Sequence, residues 1–323
     1  MNKLFLTLVA AAVLPLSALA QGAWPDKPVT VVVPFGAGGG VDAAARIVLP
    51  KLAERLGQQV IIENVPGASG TIGTQRVAKA KPDGYTLLFA VASPINVAPL
   101  VAPSSVRYDA QKDLLAITPV AVSPFVLIGR PGLPAANTGE LLALARKQPG
   151  KLNYGTDGFG TSLHLTAAMI TATAGVDILH VPYKSGPQVL TDVAGGQVDL
   201  AVLPVALVQG MVKEGKVKAY GVTSKARSEA LPGVPSLSET PALATLDVDS
   251  WLGLLGPAGL DAAIVARLHK EIGLVLADPA VLKQLADGGM KPLQMTPADF
   301  TAYLAKERQA LANVVAANKI KAE

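Results

Sequence analysis

The residues of this chain best placed to do chemistry are glycines and small hydroxyl residues gathered in loops. Residues 36–40 read Gly-Ala-Gly-Gly-Gly, residues 66–70 Pro-Gly-Ala-Ser-Gly, residues 155–160 Gly-Thr-Asp-Gly-Phe-Gly, and Gly186-Pro187 opens a fourth loop. Each follows an apolar run of strand character and precedes a run of helical character. A loop so placed exposes the unpaired N–H groups of the first helical turn, and the helix dipole adds partial positive charge there. The chemistry on offer is anion binding by backbone amides. Gly38, Gly39, Gly158 and Gly160 let a ligand approach the chain with no Cβ in the way, and Ser69, Thr161 and Ser162 add hydroxyl donors. For any one loop, a glycine that merely turns the chain is an equally good account. Four helix starts converging on one crevice would turn them into a site.

Other chemistries find less support. Gly38-x-Gly40-x-x-Ala43, with Glu63 at the end of the next strand, matches the dinucleotide fingerprint in its Gly-to-Ala form, but leaves the second half of the chain unexplained. The segment Gly67-Ala68-Ser69-Gly70-Thr71 lacks the last glycine of a nucleophile elbow, and no phosphate-binding Gly-x-x-x-x-Gly-Lys-Ser/Thr sequence occurs. His164, His180 and His269 form no i, i+4 pair and there is no cysteine, so a zinc site is not expected. His164 reads as a packed or capping histidine and His180 as packing at a strand's end. Tyr183 and Lys184 stand at a strand exit within reach of a bound carboxylate, though Lys184 serves equally as a solvated charge. Asp42 reads as a helix N-cap rather than a general base. No cofactor or metal is implied.

The elements that must position these loops follow one grammar twice. Residues 29–33 are apolar and β-branched except for Thr30, which predicts a buried parallel strand; a helix runs from Asp42 to Leu56, interrupted by Pro50 and stopped by Gly57. Strands over residues 60–62 and 86–90 flank a helix near residues 72–79. The second half repeats the order with strands at 152–154, 178–181 and 198–203 and helices from Thr161 or Ser162 to about Ala174 and from Gly186 to Gly195. Alternating strands and helices predict an α/β fold of two lobes, each a doubly wound sheet. Residues 117–128 and 249–255 are apolar segments able to cross between them, with helices at 261–276 and 297–318 packed back on the first lobe. The expected division is residues 21–121 with 248–323 for one lobe and 122–247 for the other.

Composition narrows the function classes. The 323 residues are 50% hydrophobic and 16% charged, enough to bury a large core and too apolar for disorder. Only 2 Trp, 6 Tyr and 6 Phe are available for stacking on bases or sugars, and the +4 net charge includes no run of four basic residues, so nucleic acid is not an expected partner. Met1-Asn2-Lys3, an apolar stretch over residues 4–16 and Ala18-Leu19-Ala20 have the form of an export signal, with cleavage predicted after Ala20. A periplasmic, monomeric protein without disulfides is expected.

Many spaced matches across the mature chain resemble the Bug family, the periplasmic solute-binding components of tripartite tricarboxylate transporters. They include Trp24-Pro25-Asp26-Lys27-Pro28, Val33-Pro34-Phe35 leading to Gly38-Gly39 and Asp42, Pro66-Gly67-Ala68, Pro82-Asp83-Gly84-Tyr85-Thr86, Tyr154-Gly155, Gly160-Thr161 with His164-Leu165, and His180-Val181-Pro182-Tyr183-Lys184. The resemblance implies a two-lobed venus-flytrap fold, two sheets joined by crossing strands, that closes on a small organic carboxylate and hands it to membrane permease subunits. It places ligand contacts at Phe35, Ala37, Gly38, Gly39, Gly40 and Asp42, at Gly67, Ala68 and Ser69, at Ser93, at Gly158, Gly160, Thr161 and Ser162, and at Tyr183 and Lys184. The chain departs from the family pattern at Gly36-Ala37, where two prolines are usual, at Val65 for Arg, Ser185 for Gly, and Leu203 for an acidic residue. Those departures imply a more flexible first loop and a less polar second-lobe wall, against a citrate-like polyacid. A periplasmic enzyme acting on a small acid, and a sensor subunit that binds one, remain the competing readings.

Overall fold

The computed structural model describes residues 24–317 and Ile320; the export signal and its cleavage site lie outside them. In chain order the first lobe runs β1 (Val29–Val33), α1 (Gly40–Leu56), β2 (Val60–Asn64), α2 (Thr71–Ala78), β3 (Thr86–Ala90) and α3 (Ala98–Val101). The long strand β4 (Leu114–Gly129) leads to α4 (Thr138–Lys147), β5 (Asn153–Thr156), α5 (Ser162–Ala174), β6 (Leu179–Pro182), α6 (Gly186–Ala194), β7 (Leu200–Pro204), α7 (Val205–Lys213) and β8 (Lys218–Val222). The chain then returns through β9 (Asp249–Pro257), α8 (Ala262–Val275), α9 (Pro279–Asp287), β10 (Lys291–Pro292) and α10 (Pro297–Ala317).

The strand order is β2-β1-β3-β9-β4-β7-β5-β6, with β8 and β10 also paired to β4. Parallel pairs β1/β2 and β1/β3 make the first lobe's centre, and β5/β6 and β5/β7 that of the second. The two sheets are not separate bodies, because β4 belongs to both. Its residues up to Pro124 pair with β9, whereas Phe125 to Gly129 pair with β7 and β8. A crossing strand in each direction was expected at residues 117–128 and 249–255; β4 makes the passage itself, while β9 starts at the boundary and lies against β3 and β4.

Side-chain alternation explains why the first sheet is buried on both faces. Val31 and Val33 enter one core with Leu49 and Leu52 of α1 and Leu268 and Ile272 of α8, while Val32 faces the other with Trp251 and Phe300. There α10 docks through Phe300, edge-on to Trp251 at 5.4 Å. The second lobe buries its own core around Ile128, Val189, Val202 and Tyr220. Helix α1 continues through Pro50 as one element and stops at Gly57, whose φ of 69° lets its N–H return to the Ala53 carbonyl. It begins earlier than the Asp42 cap predicts, with Gly39 at the N-cap and no side-chain cap. Asp42 lies inside the first turn, where its carboxylate has other work.

Candidate functional site

The cleft between the lobes contains a cavity of about 80 Å³. The first lobe contributes Phe35, Gly36, Gly39, Gly40 and Val41, and the second Lys184 to Pro187, Pro204, Ala206 and Leu207, with Asp157 and Leu163 beside them. Three helices therefore begin at the cavity: α1, α6 and α7. None of the three carries a side-chain cap, and neither do α2 and α3 away from the cavity, whereas α4, α5, α8 and α9 are capped by Asn137, Thr161, Asp261 and Asp278. The first-turn N–H groups of α1, α6 and α7 have no partner within their helices, and the aligned dipoles add partial positive charge. An anion is what such a cavity can hold.

The two lobes meet tightly here. A Cβ added at Gly40 would stand 3.0 Å from Cβ of Pro204, and one at Gly36 4.0 Å from that of Ser185. The loop of residues 35–39 is braced from behind. Asp42 Oδ2 accepts from the Gly38 amide at 2.9 Å and from Arg46 Nε at 2.8 Å, while Oδ1 accepts from Asn64 Nδ2 at 3.0 Å. Asn64 Nδ2 also donates to the Phe35 carbonyl at 3.1 Å. Burial pushes the Asp42 carboxyl up, but the bonds from Arg46, Gly38 and Asn64 outweigh it and hold the group below its ordinary range. Asp42 thus positions the glycine loop and neither caps the helix nor faces the cavity wall.

A second group of predicted residues forms a bridge between the lobes beside the cavity. Ser69 donates through its hydroxyl to the Phe159 carbonyl, and Ser93 Oγ accepts from the Ser162 amide at 2.8 Å while donating to Ser162 Oγ at 2.9 Å. Gly67 opens this first-lobe loop; Ala68 and Ser69 take left-handed backbone angles, with φ of 46° and 59°, a strained state that contacts on several sides must maintain. Gly160 has φ 72°, and a Cβ there would lie 3.2 Å from Val101 Cγ2 of the first lobe, so glycine meets two demands at once. Thr161 is spent as the cap of α5, accepting from the His164 amide at 3.2 Å and donating to the Gly158 carbonyl at 3.1 Å. The predicted loop over 155–160 is shorter than expected, since Gly155 and Thr156 complete β5.

His164 and His180 pack behind this bridge as expected, with ring centroids 4.3 Å apart and Phe159 against His164 at 4.4 Å. Burial lowers both imidazoles to about 4, so both are neutral near pH 7. His164 Nδ1 accepts from the Gly160 amide at 3.3 Å, and His180 Nε2 lies 2.7 Å from Thr156 Oγ1. Tyr183 is turned to Asp192, to which its hydroxyl donates at 2.8 Å. Glu63, the acidic residue of the dinucleotide fingerprint, pairs with Arg76 at 2.8 Å.

Of the residues singled out from sequence, Phe35, Gly39, Gly40 and Lys184 line the cavity; Gly38 and Asp42 brace the loop behind its first wall; Ala37 and Tyr183 stand outside the lining; and Gly67, Ala68, Ser69, Ser93, Gly158, Gly160, Thr161 and Ser162 belong to the bridge. Sequence reasoning missed the α7 start at Pro204 to Leu207, and it missed Asp157, Ser185, Phe125 and Met290. Leu203, fully buried, leaves that position apolar, yet the second lobe supplies both charged residues of the lining, Asp157 and Lys184. The wall is therefore not simply less polar.

Two lobes sharing a sheet strand and a cavity of helix N-termini define a binding protein of the periplasmic solute-binding class. The chain belongs to the tripartite tricarboxylate transporter receptor family, whose model matches residues 44–319. It is 37% identical over 289 residues to a UPF0065 protein in the tcbD-tcbE intergenic region of Pseudomonas sp. strain P51, covering 88% of this chain and 84% of that one. Its structure superposes on Rpa4515 of R. palustris with adipate at a TM-score of 0.89 with 29% identity, covering 93% of this chain and all of the other. MatC from Rhodopseudomonas palustris with bound malate gives 0.85 with 31% identity, covering 90% and 100%.

Proposed function

We propose that this chain is an exported, monomeric receptor that captures a small organic carboxylate between its lobes and delivers it to the membrane subunits of a tripartite-type permease. The observation that carries this reading is the meeting of three uncapped helix N-termini, one from the first lobe and two from the second, at a single cavity. Backbone amides suit a receptor because they donate to a carboxylate at every physiological pH and cannot take its proton. Each charge-assisted bond to the anion contributes about 1.5–3 kcal/mol before desolvation is subtracted. Donors from both lobes are satisfied together only when the lobes are close, so ligand and closure stabilise one another. Rpa4515 with adipate and MatC with bound malate support a carboxylate as the ligand class.

Native mass spectrometry of the purified protein tests the binding half: one small acid per chain is expected, recovered unchanged after incubation. A new product in place of the acid would make the chain an enzyme. Uptake of that acid by cells that lose it when either this chain or the permease is deleted tests delivery. Uptake that persists without the permease would separate this chain from transport.

A further inference from the structure

Two cavities meet at one aromatic side chain. The ligand cavity of about 80 Å³ is apolar away from its helix starts, walled by Val91, Phe125, Leu163, Leu252 and Met290. A second cavity, of about 350 Å³, lies against α5, α10 and the start of β9 and is lined from both lobes, by Val97, Tyr303 and Leu311 of the first and Leu165 and Met169 of the second. Phe125 and Ser250 belong to both linings. The sheet puts Phe125 there: it is the first residue of β4 to pair with β7, opposite Pro204, where α7 begins. Its amide donates to Thr223 Oγ1 at 3.0 Å and its carbonyl accepts from the Thr223 amide at 3.0 Å. The backbone is pinned at this point, and the ring, 4% exposed, is what stands between the two spaces.

We propose that Phe125 sets the depth of the site: its ring closes the ligand cavity against the larger space behind, so that the receptor takes short acids and rejects those whose tail would need the ring's place. This rests on the carboxylate-receptor reading and adds to it the residue that limits the length of the acid. An acid seated on the helix starts lays its body against the apolar wall, where each buried methylene raises affinity about fourfold. A tail long enough to displace a packed ring loses more than it gains. The space behind suits hydrocarbon, since Val97, Leu165, Met169 and Leu311 line it. It does not suit a second carboxylate, because its charged residues are Asp247, Asp249 and Glu307, with no basic side chain among the described residues of the lining.

Isothermal titration calorimetry with the straight-chain acids from propionate to octanoate tests this. In the wild type, affinity is expected to rise with length and then fall at least about tenfold over roughly two methylene groups. In Phe125→Ala the fall should vanish or move out by about three carbon atoms or more, with affinity still rising about fourfold per methylene past the wild type's limit. Phe125→Leu, a milder change to the core, should move it by about one carbon atom. The shortest acid that binds should keep its affinity within about threefold in both variants, which also shows that they fold. The dicarboxylates from malonate to suberate should gain no such extension. A crystal structure of Phe125→Ala with the longest bound acid should place its tail among Val97, Leu165 and Met169. A length limit unchanged in both variants, an extension shared equally by the dicarboxylates, a tail that leaves by the cleft mouth, or a series that neither protein binds would each overturn the proposal, and carboxylate binding stands as long as the wild type binds the acid that co-purifies with it. Failure to bind that acid would overturn the receptor reading itself.

Discussion

Gly39→Val tests the anion cavity most directly, because the added side chain meets the ligand's space and little else. Gly39 lines the cavity as the N-cap of α1, with φ −78° and ψ 169°, backbone angles that valine adopts freely. A Cβ there finds only the Gly36 carbonyl, at 3.5 Å, an ordinary contact. The fold therefore loses only the difference between glycine and valine as an N-cap, about 1 kcal/mol, which lowers the melting temperature by roughly 1–2 °C in a chain of this size. Binding loses far more. Three added carbon atoms enter a cavity of about 80 Å³ and take space from any occupant. If two charge-assisted bonds to the anion are lost, at about 1.5–3 kcal/mol each, affinity falls by at least about a hundredfold. Calorimetry with the acid that co-purifies reads the affinity, and a thermal melt of the unliganded variant reads the fold. Gly39→Ala should fall between. Affinity for Gly39→Val within about threefold of the wild type would show that the α1 amides do not face the ligand, and the reasoning from helix starts would fail.

Three further perturbations separate closure from contact. Ser93→Ala strips the Ser162 amide of its acceptor across the lobe boundary; affinity should drop roughly five- to thirtyfold by calorimetry with an unchanged melt of the unliganded protein, and no change would mean the bridge is incidental. Gly160→Ala forces a left-handed φ of 72° on a residue 3.2 Å from Val101, so a loss of about 1–2 kcal/mol in denaturant unfolding is expected together with weaker binding. Asp42→Asn removes the charge that braces the glycine loop; since the folded carboxyl lies below its unfolded value of about 3.9, the wild type's advantage in stability is present above that pH and is lost as pH falls through the folded value. Melts of the two proteins should accordingly differ near neutrality and converge in acid, and a constant gap would deny the ionised Asp42 its role.

What could be read from sequence, and what could not, divides along a physical line. Local signals sufficed where one element decides its own form: β-branched residues at 29–33, Gly57 in the left-handed region after α1, Thr161 before α5 and Gly186-Pro187 opening α6. Asp42 misled because an acidic residue near a helix start has the form of a cap; its real partners are Arg46, one turn on, and Asn64, whose approach depends on β2 pairing with β1. The α7 start was invisible for the opposite reason. Pro204 passes straight from strand to the apolar Val205-Ala206-Leu207, with neither polar cap nor glycine to announce a free helix end. That missing cap is itself informative once the fold is known, since a helix start that ends at a ligand's place has its donors satisfied by the ligand. Only the approach of the second lobe, which brings Pro204 beside Gly40, makes that start part of the cavity, and no signal local to residues 204–207 carries that approach.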